Sequence, residues 1–352
     1  MEDAPVHSFD HDALNAGLKT LRLSSPFRIA HDVSWERQVL RVNVRSGFGE
    51  APVVPYYQEN PCEALEWLGQ WDFYGQWLPS QLSEAPRMVR LGLDVLRHDL
   101  LGKASGMPVW QMLQLPNPSG ATACRSMAIP TDLALFSEQA KALSGQFRVL
   151  KLKLGSGNLD WDEAIVAAAR EAAPAAVLFG DVNGGWTPQE AVRMVPELKR
   201  RGLAFLEQPV HHAGGIEAWR ELVAGLGTER LPLFADESVQ NAGDVSLFAG
   251  LVQGVNVKLL KCGGFNGALE MIWRARGLGL QTLLGCMIES SLGVTAASHL
   301  AGSVEWIDLD GHLYLAEDDY KGLSFGERGE LCVPAQPGIG ATPVISASAI
   351  ST

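Results

Sequence analysis

The sequence predicts an α/β fold built on a parallel (β/α) barrel, and three observations predict it. Short apolar segments alternate with amphipathic helical stretches through the last two-thirds of the chain. Eight such segments recur, and alternation of this kind implies parallel pairing with right-handed crossovers, at a spacing that suits a closed barrel better than an open sheet. No GxGxxG or GxxxxGK[ST] run follows any of the eight, which weakens a doubly wound nucleotide-binding alternative.

Residues 1–120 read as a first unit of α+β character. RQVLRVNVRSGFGEA reads as a strand, a Gly-containing turn and an exit. PCEALEWLGQW and APRMVRLGLDVLRHDLLGKASG read as helices, the second with apolar residues at 91, 93, 95, 96, 100 and 101 and a stop at Gly102 and Gly106. LPNPSG breaks the chain at the boundary. Residues 121–320 hold the barrel strands ACRSMAI (123–129), RVLKLKL (148–154), AVLFGDV (176–182), AFLEQPV (204–210), LPLFADE (231–237), VNVKLL (255–260), QTLLGCM (281–287) and WIDLDG (306–311). The Gly- and Pro-rich tail within 321–352 crosses back to the first unit or frays.

Composition bounds the partners. The 352 residues carry 28 Lys+Arg against 40 Asp+Glu, and the net charge of −12 argues against nucleic acid while leaving carboxylates to hold a hard cation. No apolar run reaches the roughly 18 residues that span a bilayer, so no membrane partner is expected. The acidic start MEDAPVHSFDHDALN lacks the basic and apolar stretches of a secretory signal. Five scattered cysteines without a CxxC suggest free thiols in a reducing cytoplasm. Composition leaves a homo-oligomer open.

The second barrel segment poses a problem. Lys151 and Lys153 share one face of an otherwise buried strand, and lysine is almost never fully buried without a compensating charge. They fit if they line the charged mouth of the barrel, where the active site of such folds lies. Three consecutive strands end there in carboxylates: Asp181 in GDVNGG, Glu207 in LEQP and Asp236 in ADES. Singly, each is explained as a turn, an ion pair or a cap. Together, on strands about 4.8 Å apart, they repel unless protonated or neutralised by a cation. All-oxygen ligands favour magnesium or manganese over zinc. Lys258 lies on the sixth strand, opposite the second, so an amine approaches from each side. That arrangement suits proton transfer on both faces of a carbon next to a carboxylate, with a cation stabilising the enediolate. The base must lose its proton, so its pKa must fall from about 10.4 toward roughly 7–8. Lys261 is out of phase with Lys258 and reads as loop or salt bridge.

In order, KLKLG, DVNGGW, LEQPV, ADES, NVKLLKCGG and GCMIESSLG resemble the enolase superfamily, muconate-lactonizing subgroup. PFRIAHDVSWERQVLRVNVRSGFGEAP resembles the start of its capping domain, LDVLRHDLLGKASGMPVWQML the helix entering the barrel, and PGIGA the C-terminal return. The resemblance implies a (β/α)7β barrel under an α+β capping domain formed by the N-terminal region and the tail. It implies one Mg²⁺ per subunit on Asp181, Glu207 and Asp236, and acid/base lysines at Lys153 and Lys258, an arrangement of general acid–base and metal chemistry known for enolase-type sites.

WIDLDG places Asp308 and Asp310 on one face of the last strand, where a substrate ammonium is their natural partner. This DxD resembles the signature of the dipeptide epimerases, which bind there the amine of an L-Xaa-L-Xaa dipeptide. The implied reaction is 1,1-proton transfer at the α-carbon of the second residue. Lys151, Ile288 and Asp32 complete the expected substrate surface. The Ala-Glu epimerases, which the sequence also resembles, carry an Arg where Asp32 falls, and an acid there would repel a Glu side chain. Ile288 follows the Ala-Glu pattern, so the cues point apart. The expectation is broad activity on L-Ala-L-Xaa dipeptides with Glu not the best. Alternatives are an N-acylamino acid racemase or a muconate cycloisomerase, whose substrates lack a free ammonium; an aldolase-like barrel with Lys258 as Schiff-base nucleophile; and a non-catalytic dipeptide-binding protein.

Overall fold

The computed structural model describes residues 14–344 apart from 58, 71–81, 83 and 228–229. Most of the acidic start and the last eight residues of the tail lie outside the described residues. Strands β1 (Asn15–Ile29), β2 (Asp32–Val44) and β3 (Gly47–Pro52) form an antiparallel sheet in chain order. Leu40, Val42 and Val44 are buried with the apolar face of the helix Arg87–Ser105, which Gly106 ends at φ 68, the left-handed conformation of a helix C-terminus. The sequence reading finds β2, and the exit it expects after the turn is β3. It misses β1. Only Leu21, Leu23 and Phe27 of that edge strand are buried, too few to write a period of two.

The barrel strands are β4 (Cys124–Met127), β5 (Val149–Lys153), β6 (Val177–Asp181), β7 (Leu203–Glu207), β8 (Leu233–Ala235), β9 (Gly254–Val257), β10 (Gln281–Gly285) and β11 (Trp306–Asp308). They pair in parallel, each with its neighbour in sequence. The open seam between β11 and β4 is bridged by side chains: Ser126 Oγ donates to Asp308 at 3.0 Å, and Ser126 N–H to Asp310 at 2.7 Å. Each of the eight segments read from the sequence contains one of these strands, but VNVKLL passes after Val257 into the helix Leu259–Cys262, so Lys258 follows its strand, and WIDLDG is strand only to Asp308, so Asp310 lies beyond it at the start of a 3-10 turn. Three of the crossover helices start on the side-chain caps Asp132, Asn158 and Thr187, the last in a capping box with Glu190.

Strand alternation sets the chemistry of the interior. Leu150, Leu152 and Leu154 of the lysine strand face the helix layer and join the main core. Val149, Lys151 and Lys153 face the barrel axis. Cys124, Val149, Phe179, Phe205, Phe234 and Leu283 pack as an apolar plug, with Phe205 stacked between Phe179 at 4.3 Å and Phe234 at 4.2 Å. Two residues further along most of these strands, the inward positions become polar. Lys151 is therefore buried at the top of the plug, its Nζ 5.8 Å from the centre of the Phe179 ring, and Lys153 lies half-buried above it.

The tail returns to the capping unit. Gly338 exchanges backbone hydrogen bonds with Met107 and Val109, and Ile339 N–H donates to Asp99 at 2.9 Å. His299 locks this junction: its Nδ1 accepts from Trp110 N–H at 3.3 Å and its Nε2 donates to Ile339 O at 3.0 Å. Only the neutral ring can do both. Burial pushes its pKa from 6.5 down to about 4. Between those values the unfolded chain binds a proton that the folded chain does not, so stability falls as pH drops through the window. The group should remove roughly 3 kcal/mol between pH 6.5 and 4. Urea unfolding of His299→Gln should show a stability–pH slope shallower than wild type by up to one proton. Equal slopes would show that His299 is not the titrating group.

Candidate active site

The candidate functional side chains cluster at the C-terminal strand ends, just above the apolar plug. Lys153 lies beside Asp181 in the β5–β6 register, and Asp181 beside Glu207 in the β6–β7 register. Asp236 follows β8, Lys258 follows β9, and Asp308 ends β11. The strand order puts the two lysines four strands apart in an eight-stranded barrel, on opposite sides. Gly285 on β10 faces inward, where a Cβ would lie 2.9 Å from Lys258 Cε; its bare backbone leaves room for that lysine's stem.

Lysine nitrogens and carboxylates alternate across the floor. Lys151 Nζ lies 3.0 Å from Asp181, 2.8 Å from Glu207 and 2.6 Å from Asp308. Lys153 Nζ donates to Asp181 at 2.6 Å, and Lys258 Nζ to Asp236 at 2.7 Å. Lys261 is buried and donates to Asp236 Oδ1 at 2.7 Å and to Asn256 O at 2.7 Å, so the salt-bridge reading of that residue is the right one. Lys151, expected on the substrate surface, is enclosed beneath it at 2% exposure, its charge spread over three carboxylates.

The electrostatics follow from this clasp. Burial works against the Lys258 ammonium, but Asp236 and the tyrosines beside it hold its pKa well above the usual range. Burial likewise opposes the Lys151 charge, and Asp181, Asp308 and Glu207 overcome it. For Lys258 the direction is thus opposite to the lowering that a base needs, because the Asp236 carboxylate is turned onto its ammonium. Burial and then the Asp181 and Asp236 charges push Glu207 up to about 7. Burial opposes the Asp308 carboxylate, but Lys151 draws it down to about 2.

The carboxylates are turned onto ammonium groups, so no three acid, His or Cys side chains surround one point among the described residues. The donor set nevertheless suits a hard dication. Asp181, Glu207 and Asp236 are fully buried oxygen donors that crowd one another. Glu207 Oε2 is buried without a hydrogen bond, facing Lys151 Nζ as an ion pair only. Lysine Nζ atoms thus stand where positive charge is needed.

Above the floor lies a cavity of about 580 Å³. Lys153, Lys258, Asp308, Asp310 and Ile288 line it from the barrel; Ile29, His31, Asp32 and Tyr56 line it from the capping unit. Asp32 stands where expected, but not as a free acid: it accepts from Ser34 at 2.5 Å and Arg37 at 3.0 Å. Its repulsion of an acidic side chain is thereby reduced. Asp310 accepts from Arg125 at 3.0 Å and from Tyr314 at 2.9 Å. Sequence reasoning misses Asn183, Gln208, Glu237 and Asn256. Asn256 donates to Glu207 at 2.5 Å, and Gln208 Oε1 accepts from Asp236 N–H at 2.9 Å. Asn183 and Gln208 each follow a carboxylate strand end closely and hold positive φ, 47° and 39°. That conformation, with no periodic pattern, is their only distinguishing sign.

Residues 135–346 match the family model described as enolase C-terminal domain-like, and the chain belongs to that family. An L-Ala-D/L-amino acid epimerase from a Maribacter species is 31% identical over 86% of this chain and 90% of its own length. A hydrophobic dipeptide epimerase from Roseobacter litoralis is 36% identical over 70% of this chain and 71% of its own length. Among solved structures, a dipeptide epimerase from Methylococcus capsulatus, complexed with Mg and L-Arg-D-Lys, superposes with a TM-score of 0.82 at 26% identity, covering 94% of this chain and 99% of that one.

Proposed function

We propose that this chain is a Mg²⁺-dependent dipeptide epimerase, an isomerase that inverts the α-carbon of the second residue of an L-Xaa-L-Xaa dipeptide. One observation carries the reading: a single cavity presents Lys153 and Lys258 from opposite sides of the barrel, with Asp308 and Asp310 at the same floor. Asp308 and Asp310 take the substrate ammonium, which orients the dipeptide across the barrel mouth. One lysine removes the α-proton and the other returns a proton to the opposite face. Asp181, Glu207 and Asp236 would hold Mg²⁺, which when bound supplies positive charge against the enediolate form of the substrate carboxylate. The capping residues exclude water from the closed site.

The second side chain meets Ile29, Tyr56 and Ile288, with the Asp32 charge paired to Arg37. We take apolar and neutral L-Ala-L-Xaa dipeptides as the preferred class. The test is α-deuterium exchange in D₂O across a dipeptide panel. Exchange should be fastest for these dipeptides, slower for L-Ala-L-Glu, lost with EDTA and restored by Mg²⁺. Fastest exchange on L-Ala-L-Glu would refute the side-chain assignment. Exchange confined to N-acylated amino acids would move the chain to the racemase reading. Turnover insensitive to EDTA, with borohydride trapping of a carbonyl substrate, would move it to Schiff-base chemistry.

A further inference from the structure

We infer that Asn183 is a positioning residue that ties the lid of the site to one side of the proton transfer, the Lys153 side; the inference rests on the epimerase reading above. Every polar group of Asn183 is committed to a different part of the site. Its N–H donates to Asp181 Oδ1 at 2.9 Å. Its side-chain Oδ1 accepts from Lys153 Nζ at 3.1 Å, and its Nδ2 donates to Glu237 Oε1 at 3.0 Å. Its carbonyl accepts from His31 Nε2 at 3.0 Å. A φ of 47° makes this convergence possible. Side chains rarely hold that conformation, and Asn does so more readily than most.

The His31 bond comes from the lid. The turn between β1 and β2 carries Ala30 and His31 over the barrel. Ala30 sits in a notch at Gly155 and Gly185: a Cβ on either glycine would lie 2.9 Å from the Ala30 methyl. Ile129 N–H holds Arg28 O at 3.0 Å, and the His31 ring stands edge-on to His211 at 5.5 Å. With the lid seated, His31 fixes the carbonyl end of Asn183 while the side-chain end holds the Lys153 amine. Lysine has four rotatable bonds, and a base must meet the α-proton along one direction, so an amide that orients Nζ acts on the rate. Lys258 donates to Asp236 and has no bond to Asn183. The device is one-sided.

Asn183→Gly isolates the claim. Glycine suits the positive φ and keeps the backbone bonds to Asp181 and His31, removing only the side chain. Lys153→Met identifies the epimer whose α-proton exchange depends on Lys153. In Asn183→Gly, exchange of that epimer should fall about 10- to 100-fold, with the other epimer little changed. The Mg²⁺-induced rise in Tm should match wild type, since the Asp181 contact remains. His31→Ala should raise KM and skew exchange against the same epimer. Equal loss on both epimers, or a changed Mg²⁺ response, would reduce Asn183 to a structural turn. A raised KM in His31→Ala without the skew would refute the link from lid to base. If the wild-type protein exchanges neither epimer of any dipeptide, the epimerase reading itself fails; if it exchanges both, any failure belongs to Asn183 alone.

Discussion

Replacing Lys258 by Met is expected to lower epimerisation by about 10³-fold or more, while α-proton exchange of one epimer persists. A positioned acid or base contributes roughly 10²–10⁴-fold, and inversion needs both lysines whereas exchange of one epimer needs one. Lys258 reaches the cavity from just beyond β9 and Lys153 from β5, so in the proposed reaction each would serve its own face of the α-carbon. The substitution should not collapse the fold. Breaking a buried ion pair costs about 3–5 kcal/mol when it leaves a charge uncompensated, but Asp236 keeps Lys261 at 2.7 Å. Lys153→Met leaves Asp181 with Lys151 at 3.0 Å. The two variants should therefore show mirror-image behaviour, each exchanging the epimer the other cannot. Monitoring α-deuterium in separate L- and D-epimer samples reads this directly. Loss of the same epimer in both variants, or less than about a tenfold loss of inversion in either, would place the amines on one side or outside the chemistry.

The sequence shows the barrel floor because charge interrupts strand patterning there. In VLKLK the outward leucines keep the buried period, and the inward positions switch from Val149 to Lys151 and Lys153. The same switch runs from Phe179 to Asp181 and from Phe205 to Glu207. A strand that is apolar below and ionic above on one face has to line a polar site. The clasp is less legible, because ladder position does not fix which lysine answers which acid. Lys151 and Lys153 share a face, yet Lys151 is enclosed by three carboxylates while Lys153 lines the cavity. Asp32 shows the same limit at the rim. Its partner Arg37 lies five residues along β2, beyond anything strand alternation pairs, and only the curl of the lid brings them together. Asn183 and Gln208 are hidden for a different reason: their side chains reach their partners from a positive-φ backbone that no periodic pattern marks, and an Asn beside two glycines looks like any other turn.

Asp308→Asn should lower kcat/KM for free dipeptides by roughly 30- to 10³-fold, about 2–4 kcal/mol, within the range lost when one member of a desolvated charge pair is removed. Asn fills the same volume and keeps an oxygen for Ser126, whose hydroxyl donates to Asp308 Oδ1 at 3.0 Å. Lys151 retains Asp181 and Glu207 at 3.0 and 2.8 Å, so its ammonium stays paired. The lost interaction is then chiefly with the substrate amine, and the comparison that reports on it is N-acetylation. Wild type should discriminate strongly against an N-acetyl dipeptide, and Asp308→Asn should erase most of that preference by losing the free dipeptide alone. Asp310 cannot give so clean a test. Its carboxylate is also the partner of the half-buried Arg125 and of Tyr314, so its removal would disturb the seam of the barrel as well as the substrate. A second route by which Asp308→Asn could act is through Lys151, freed to press on Asp181 and Glu207, two of the carboxylates proposed to hold Mg²⁺. If those carboxylates hold Mg²⁺ as proposed, that route would shift the Mg²⁺ concentration giving half-maximal activity. An unchanged Mg²⁺ midpoint with lost amine discrimination assigns Asp308 to the ammonium; equal losses on free and acetylated dipeptides would take it out of that role.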